Sequence, residues 1–407
     1  MVRGLNNKIS IKGIAAFASV LAVLLMFTAC DKLTEISEKI MNIGGGDSGL
    51  ITDLGLGGDT EASDDEGKDG PDIAFIIPAG HTRGVYDKGW IQEVWEAISE
   101  WCEENGKTCR YYKPEEDTKQ GHLDTYKTVI ENGAELIFGC GEECVEAMSE
   151  APWEHFDVKF VTLEATGFEP GYISPNLRAL CISQQEAGWL AGNAAVREGY
   201  VKLGIISGFN TPSNNEWAWG YLSGVNFAAR KYGVSGVSVR HHYADSETEN
   251  SGIRARALSW YADGLDCIQC NAAGGNLSVI SAAASANKPV FGAGKDQSAD
   301  GPTVVTSMIV DRAKVISETL TSAYDGSFQG SGEVKWLGVA AGVARLVPWE
   351  YSRFKVYTKE EYQQDLEDFG RDLNGRRTGM LSPAQAQDIN TFIEAMSYGR
   401  SIEITNL

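Results

Sequence analysis

Basic residues are scarce in this 407-residue chain. Lysine and arginine together number 35 against 56 aspartates and glutamates, so the formal net charge is −21 at pH 7. Proteins that bind nucleic acid present Lys and Arg to the phosphate backbone. The charge balance therefore argues against a nucleic-acid partner, and otherwise indicates mainly solubility.

Long apolar runs are also absent, with one exception near the start of the chain. Residues 14–28 are all apolar or small and follow the basic residues Arg3, Lys8 and Lys12. This run is too short for a comfortable transmembrane helix and is typical of the apolar core of a secretory signal.

The run ends in a cysteine that predicts a lipid anchor. The small residues Thr28 and Ala29 precede Cys30, as in a bacterial lipobox. We predict a signal peptide at 1–29 and a diacylated Cys30, which would hold the protein on the extracytoplasmic side of the cell membrane. An uncleaved anchor and a plain signal peptide remain alternatives.

The next segment lacks the apolar content of a folded domain. Residues 41–70 are rich in Gly, Asp and Ser and contain eight acids and one lysine. Such composition predicts a flexible acidic tether, and we assign 30–70 to the lipidated cysteine and its tether.

The cysteines do not form a recognisable metal or disulfide framework. Seven remain after Cys30, an odd number that cannot pair completely within the chain. Cys267 and Cys270 form a CxxC without a second pair at zinc spacing. Buried thiols are the favoured interpretation, and Cys102 and Cys109, which flank a short Asn-Gly turn, are the pair best placed for a disulfide.

Motifs of catalysis and cofactor binding are missing as well. Residues 291–296 lack the spacing of a phosphate-binding loop, and 139–144 lack the third glycine of a dinucleotide fingerprint. The five histidines are scattered without metal-ligand spacing. We therefore predict no cofactor, no metal site and no enzyme; an NAD-dependent or hydrolytic enzyme is the least favoured hypothesis.

From residue 72 onward, short apolar runs alternate with amphipathic stretches. This alternation indicates an α/β protein in which helices cover both faces of parallel sheets. The predicted strands are 73–78, 109–112, 136–140, 159–164, 177–183, 203–207, 237–243, 267–271, 289–293, 304–309 and 334–339.

Eleven strands are too many for one small open sheet, so we predict two parallel-sheet lobes. The first comprises 72–180 with about 298–330, and the second 181–297 with about 331–348. The remainder, 349–407, is predicted to be a helical extension without chemistry of its own.

Parallel-sheet lobes bind ligands beyond the carboxyl ends of their strands. The residues that follow the predicted strands therefore form a candidate binding site for a small polar ligand with a flat ring or sugar face. Its members are Trp90, Glu164, Phe209, Trp217, Asn271, Gly274, Lys295 and Asp296. For Trp90 and Trp217, packing in the core is the alternative.

Nine short motifs occur in order between about 72 and 348, roughly two thirds of the chain. They include Asp87-Lys88-Gly89-Trp90 with 95–97 and Gly292-Ala293-Gly294-Lys295-Asp296-Gln297; the others are 135–141, 158–164, 186–192, 202–208, 220–225, 273–275 and 305–308. In these motifs the chain resembles the basic membrane protein (BMP) family of substrate-binding lipoproteins, relatives of the purine nucleoside receptor of ABC importers. The resemblance implies the type I periplasmic-binding-protein fold, two Rossmann-like lobes joined by three crossover strands.

The resemblance also implies roles for individual residues. Asp87 and Trp90 match the family's aromatic motif, with Trp90 placed to stack on a base or ring, and Glu164 stands where the family has Asp. The contacts to the base and ribose are replaced at Ile91, Gly294 and Val310; Lys295 and Asp296 adjoin Gly294. The resemblance thus leaves the ligand open among nucleosides, bases and other small polar metabolites.

Together these features predict a substrate-binding lipoprotein of an ABC importer that captures its ligand by hinge closure and delivers it to a membrane permease. A surface sensor that presents its liganded form to a membrane receptor is the alternative hypothesis.

Overall fold

The computed structural model describes residues 70–81, 84–86, 89–169, 171–375 and 402–403. All of them belong to one compact unit, Asp65–Leu407. The predicted signal peptide, the lipidated Cys30, almost all of the tether and Asp87 lie outside the described residues. Among the helices that the structure describes, none has both the length and the apolar content to cross a membrane.

The first sheet contains six strands, all parallel to their neighbours. Its strands are β1 Ile73–Ile76, β2 Cys109–Tyr112, β3 Leu136–Cys140, β4 Lys159–Leu163, β5 Leu177–Ile182 and β11 Lys335–Leu337. They lie in the order β11-β5-β4-β3-β1-β2. The central strands are apolar and buried because helices cover both faces of the sheet.

The second sheet contains seven strands, of which the five central ones are parallel. They are β6 Lys202–Ser207, β7 Ser238–Tyr243, β8 Cys267–Asn271, β9 Val290–Gly294, β10 Val304–Val310, β12 Ala344–Leu346 and β13 Ile402–Glu403, in the order β12-β10-β9-β8-β6-β7-β13. The edge strands β12 and β13 run antiparallel to β10 and β7. The prediction for 349–407 was a helical extension, so the presence of strand β13 in this range departs from it.

Helices connect the strands and cover the sheets. They are α1 Trp90–Asn105, α2 Lys119–Glu131, α3 Val145–Met148, α4 Ala151–Glu154, α5 Gln184–Arg197, α6 Pro212–Tyr232, α7 Ser251–Ala262, α8 Asn276–Ala286, α9 Arg312–Tyr324 and α10 Lys359–Gly375. Side chains accept hydrogen bonds from the first turns of α2, α6, α7 and α9; the N-caps are Thr118, Thr211, Asn250 and Asp311.

The two sheets share one topology. The order β2-β1-β3-β4-β5 in the first sheet recurs as β7-β6-β8-β9-β10 in the second. This is a doubly wound arrangement, and such sheets bind ligands where the strand order reverses, next to β1 and β6. The predicted α/β class with two Rossmann-like parallel sheets is confirmed.

The chain passes between the sheets three times. It first crosses from β5 into α5, then from β10 through Asp311 into α9, and finally through 338–343 between β11 and β12. Helix α9 lies with the first sheet: Trp101 of α1 donates its indole N–H to Oγ1 of Thr321 at 3.0 Å. Three crossover segments therefore form the only links between the two sheets in the described residues.

Two strands lie in a different sheet from the one predicted. The predicted lobe boundaries place the strand 304–309 in the first lobe, but β10 pairs with β9 of the second sheet. They place the strand 334–339 in the second lobe, but β11 pairs with β5 of the first sheet. Strand β10 follows β9 after a short connection, and strands so joined usually pair. Pairing between distant segments leaves no periodic signal in the sequence, so the composition of β11 does not reveal its neighbour.

Helices α5 and α6 pack with their backbones in close contact through glycine. A Cβ at Gly192 would lie 1.9 Å from the carbonyl oxygen of Tyr221, and a Cβ at Gly220 would lie 2.0 Å from that of Gln185. Both glycines belong to the motifs 186–192 and 220–225. The motifs thus encode a close helix–helix contact that places the first turns of α6.

The segment after β12 docks onto the second sheet's helices. The carboxylate of Glu198, at the end of α5, accepts the backbone N–H groups of Lys355, Val356 and Tyr357 at 2.7, 3.0 and 2.9 Å. Residues 355–357 are thereby held against α5, and α10 follows directly. Apart from 402–403, the part of the predicted helical extension beyond residue 375 lies outside the described residues.

Candidate functional site

A cavity of about 510 Å³ lies between α1 and the loop that follows β9. Gly294, Lys295 and Asp296 line one side, and Glu93 of α1 lies opposite, with Arg312 of the second crossover between the sheets also in the lining. The cavity therefore brings three predicted site residues together with a cation that sequence reasoning did not single out.

Arg312 links this cavity to the predicted acid Glu164. Its Nη1 donates to Oε2 of Glu93 at 3.1 Å, and its Nη2 lies 4.0 Å from Oε1 of Glu164. Glu164 follows β4 in the left-handed region, with φ of 58°, which is uncommon for a residue with a side chain. Its Oε2 accepts from the backbone N–H of Ile182 at 3.5 Å, and its buried Oε1 accepts no hydrogen bond.

The pKa of Glu164 reflects two opposing effects. Burial raises the pKa of this carboxyl, whereas the nearby guanidinium of Arg312 and the Ile182 N–H act to lower it; the net direction is upward. Arg312 is therefore not sufficient to compensate for the burial of Glu164.

A second acid, Glu142, stabilises the loop next to Glu164. Its Oε1 accepts the backbone N–H of Thr166 at 2.7 Å and the Thr166 hydroxyl, and its Oε2 accepts the N–H of Gly167 at 3.0 Å. Both carboxylate oxygens of Glu142 therefore accept hydrogen bonds from the loop after β4, and the role of this side chain is to hold that loop in place.

A third acid, Glu216, comes from the second lobe. It lies on α6 one turn after Ser213, whose Oγ accepts from Nε2 of Gln184 at 2.8 Å. Sequence reasoning missed Glu216 because it lies within a helix and not directly after a strand; the Thr211-Pro212 helix start was the available signal.

Glu216 is expected to make stability depend on pH. Burial, reinforced by the charge of Glu164, raises the pKa of Glu216 to about 8, from 4.5. The unfolded chain releases this proton at lower pH than the folded protein does, so the free energy of unfolding should fall as pH rises from about 4.5 to 8. In Glu216→Gln the decline should be shallower, by at most about 1.4 kcal/mol per pH unit.

Urea unfolding of both proteins at several pH values in this range measures the effect. Glu186, whose pKa burial raises to about 7, adds a decline of the same sign to both proteins, so only the difference between them reports on Glu216. Identical slopes would contradict the assignment.

The predicted aromatic residues have different environments. Trp90 opens α1 and is half-buried, packed against the main core, whereas Trp217 is 6 % exposed and lies within that core. Phe209, after β6, is 44 % exposed. Ile91, the neighbour of Trp90, is fully buried, so the residue at this position packs in the core.

The remaining predicted residues differ in position: Asn271 is packed inside the fold, Gly274 is exposed, and Gly294 lines the cavity. Asn271, the last residue of β8, is buried. Its Oδ1 accepts a hydrogen bond from Oγ of Ser207, the last residue of β6, at 3.1 Å, and its Nδ2 donates to the carbonyl of Asn214 on α6. Gly274 is exposed in a short turn after β8. Gly294 has φ of 88°, and a Cβ there would meet no atom within 4 Å, so the chain leaves open space at the cavity wall.

Cysteines and metal ligands add no further site within the described ranges. The seven cysteines there carry free thiols, and hydrogen bonding to Cys109, with burial, raises the pKa of Cys102. Within the same ranges no group of three or more His, Cys, Asp or Glu side chains could hold a metal ion.

Comparison with known proteins gives relatives in sequence and in fold. A family model described as "ABC transporter substrate-binding protein PnrA-like" matches residues 71–372. Basic membrane protein A of Borreliella afzelii is 23 % identical over 281 residues, which cover 62 % of this chain and 84 % of that protein.

Solved structures share the fold at low sequence identity. An ABC transporter solute-binding protein from Conexibacter woesei is 16 % identical to this chain, with a TM-score of 0.56. The match covers 74 % of this chain and 96 % of the Conexibacter chain. A transcriptional activator of the comK gene from Bacillus halodurans has the same identity and TM-score, covering 76 % and 98 %. These likenesses concern the fold alone. The family match, which extends over most of the chain and both sheets, shows that this protein belongs to the PnrA-like (Bmp) family of ABC transporter substrate-binding proteins.

Proposed function

We propose that this protein is the extracytoplasmic, lipid-anchored binding component of an ABC importer, which captures a nucleoside-like or other small polar metabolite by hinge closure and delivers it to a membrane permease. The observation that carries the proposal is the position of Glu164 and Arg312 on one side of the hinge, with Glu216 and the Gly294 loop on the other. One ligand can therefore contact both lobes.

Such a site couples binding to closure. A ligand that contacts both lobes only when they meet binds the closed state more tightly, and so shifts the open–closed equilibrium toward it. The three crossovers offer few backbone positions at which the chain can bend, as in other hinged binding proteins. A permease could then distinguish the liganded protein by its closed shape.

Export and anchoring are supported by the N-terminal sequence. The apolar run at 14–28 ends at Cys30, and diacylation there would retain the protein at the membrane without a spanning helix. The acidic tether that follows would keep the folded unit away from the membrane surface and within reach of a permease.

We expect this site to offer fewer polar contacts to a ribose than the nucleoside sites of the family do. Gly294 has no side chain, and Val310 and Ile91 are buried apolar residues at positions where the resemblance implies polar contacts. Loss of a buried polar partner weakens selection for the hydroxyl or amide it would bind. A base-like or other small polar ligand therefore fits as well as a nucleoside.

Ligand binding is expected to raise the melting temperature. Native mass spectrometry of protein purified without refolding, then a thermal-shift panel of nucleosides, bases, sugars and amino acids, identifies the ligand through stabilisation by mass action. With that ligand, Trp90→Ala should weaken binding by about tenfold or more, because an aromatic stacking contact contributes roughly 1–3 kcal/mol per base.

The matched control is Trp153→Ala, which removes an exposed tryptophan at the far end of the first lobe and should leave the affinity unchanged. Unchanged affinity in Trp90→Ala would assign that side chain to the core alone. A panel in which nothing stabilises the protein, together with no bound molecule in native spectra, would contradict the binding role.

A further inference from the structure

Three exposed aromatic side chains lie together on the surface of the first lobe. Trp153 of α4, Phe156 and Tyr172 are 45, 62 and 68 % exposed. The rings of Trp153 and Phe156 meet edge to face, with centroids 6.1 Å apart, and the Trp153 indole N–H donates to the Tyr172 carbonyl at 3.4 Å. We call these three residues the aromatic patch. Single exposed aromatics are common, whereas neighbouring ones mark a surface that meets a partner.

The aromatic patch lies at the edge of the first sheet where the strands begin, because its residues precede β4 and β5. The loops before these two strands are joined by Asn176, whose Nδ2 donates to the carbonyls of His155 and Val158 at 2.9 and 2.8 Å. Ligands bind beyond the opposite, carboxyl ends of such strands. The patch is therefore separate from the candidate ligand site and needs a partner of its own.

The chain enters the first lobe at the same edge. Ile73, which opens β1, and Lys159, which opens β4, both pair with Leu136 of β3. Neighbouring strands lie about 4.8 Å apart, so β1 and β4 begin about 10 Å from each other. The segment before residue 73 thus reaches the lobe two strands away from the strand that follows Trp153 and Phe156.

The point of entry and the aromatic patch also share one face of the sheet. A Cβ at Gly70 would lie 2.8 Å from the Cβ of Asn132, the residue that follows α2. Tyr126 of α2 and Ala151 of α4 belong to one buried cluster, so both helices cover the same face. The residues before 70 therefore approach the lobe beside the aromatic patch.

The segment before residue 70 leads back to the anchor proposed at Cys30. About 40 residues separate the two positions, and a flexible chain of this length spans roughly 35 Å on average. Acyl chains at Cys30 would therefore keep this edge of the lobe close to the bilayer, where a tethered contact needs little affinity of its own. Tryptophan and tyrosine favour the interface between headgroups and acyl chains, because their rings are apolar and their N–H or O–H groups stay hydrated there.

The charges next to the aromatic patch select among bilayers. Glu154, Asp157 and Glu169 are exposed acids, and Glu150 forms an ion pair with Lys119. An anionic surface would repel the exposed carboxylates, whereas zwitterionic headgroups carry no net charge and present cationic amines. A zwitterionic bilayer therefore fits both the rings and the acids.

We propose that the aromatic patch docks into the headgroup region of a zwitterionic bilayer, the one to which Cys30 anchors the protein. This inference rests on the lipid anchor of the proposed function and goes beyond it, because docking fixes an orientation that a tether alone leaves free. With this edge of the first lobe on the membrane, the carboxyl ends of its strands point away from the bilayer, and the cleft stays open to ligand.

Tryptophan fluorescence tests the docking directly. All ten tryptophans lie in the described residues, and among them Trp153 alone is exposed. The full acylated chain is reconstituted into vesicles of phosphatidylcholine whose acyl chains carry bromine, which quenches indoles on contact. We expect Trp153 to lose most of its emission relative to vesicles without bromine. Trp153→Phe, which removes the reporter, should show no such loss.

Two variants keep the reporter and disturb the docking. Phe156→Asp and Tyr172→Asp each place a carboxylate in the interface and should abolish most of the quenching. The matched control is Tyr86→Asp, because Tyr86 is 55 % exposed but follows β1 at the opposite edge, and the quenching should persist in it. Circular dichroism confirms that each variant is folded. Addition of the anionic lipid phosphatidylglycerol should reduce the quenching, and salt should restore it.

Acylated protein in which Trp153 is not quenched, quenching that survives both aspartate variants, or stronger quenching on anionic vesicles would overturn the docking and leave the anchor in place. Protection of Trp153 only when the permease is present would assign the patch to a protein partner and overturn the docking as well. Mature protein without acyl chains in its mass spectrum would contradict the anchor itself. The thermal-shift panel is independent of these results, because the patch and the candidate ligand site lie at opposite edges of the sheet.

Discussion

Replacing Asp365 by alanine is expected to lower the free energy of unfolding by about 3–5 kcal/mol, because the change removes a buried carboxylate on which three hydrogen bonds and two cations converge. Asp365 lies on α10 and is completely buried. Its carboxylate accepts hydrogen bonds from Nδ2 of Asn193 at 2.8 Å and from the hydroxyls of Tyr232 and Tyr357 at 2.6 and 2.8 Å. Nε of Arg197 lies 3.4 Å away.

These partners come from three separate segments, which explains the size of the expected effect. Asn193 and Arg197 lie on α5, Tyr232 ends α6, and Tyr357 belongs to the segment held by Glu198. Removal of this carboxylate would leave the two hydroxyls and the Asn193 amide without their acceptor, and each loss costs free energy in a buried site. Arg197 would retain Glu361, which lies 2.7 Å from its Nη2.

Equilibrium unfolding in urea, followed by tryptophan fluorescence, measures the change in Asp365→Ala. The control is Gln363→Ala on the exposed face of the same helix, which should alter the free energy by less than about 0.5 kcal/mol. A loss below about 1 kcal/mol for Asp365→Ala would show that α10 is not an integral part of the folded unit.

The second large effect is expected at Gly192, where alanine should destabilise the protein by about 1–3 kcal/mol. Within a helix, glycine to alanine ordinarily stabilises by up to about 1 kcal/mol, so the predicted sign is the reverse of the usual one. The reason is steric: the added Cβ would lie 1.9 Å from the Tyr221 carbonyl oxygen, which belongs to the backbone of α6 and cannot rotate away.

Thermal and urea unfolding of Gly192→Ala test this, with Gly252→Ala as the matched control. Gly252 is exposed in the first turn of α7, and a Cβ there would approach only Oδ1 of the N-cap residue Asn250, at 3.2 Å, so an adjustment of a few tenths of an ångström would accommodate it. The control should therefore be near neutral. Stabilisation in Gly192→Ala would contradict the close packing of α5 and α6.

The same substitution is informative about the site. Helix α5 begins at Gln184, whose Nε2 donates to Oγ of Ser213 on α6, so a displaced helix pair would also disturb the interlobe site at the carboxyl end of β5. Ligand affinity in Gly192→Ala should consequently fall together with stability.

Much of the secondary structure could be predicted from local sequence. All eleven predicted strands occur, with ends within two residues of the observed ones. A strand covered on both faces must be continuously apolar, and this local requirement is visible without knowledge of its neighbours. The short edge strands at 344–346 and 402–403 were missed because three residues or fewer carry no periodic signal.

The candidate site was only partly accessible from the sequence. Gly294, Lys295 and Asp296 follow a strand and do line the interlobe cavity, as the rule for parallel sheets suggests. Trp217 was predicted from the same rule but lies inside α6 and faces the core, because the face that a helical residue presents depends on how the helix packs. Glu216 was missed because it lies in the interior of a helix, whereas Arg312 stands two residues after β10, where the rule for strand ends could have identified it.

The sequence by itself determined the acidic charge, the N-terminal signal and anchor motifs, the α/β alternation and the family, because each depends on residue types in a local order. Only the tertiary structure decided which sheet received β10 and β11, how closely α5 approaches α6, and how Asp365 holds the extension in place. It also decided that Arg312 lies beside both Glu93 and Glu164. Those outcomes depend on contacts between residues distant in the chain, where close packing and the satisfaction of buried polar groups select one arrangement among many.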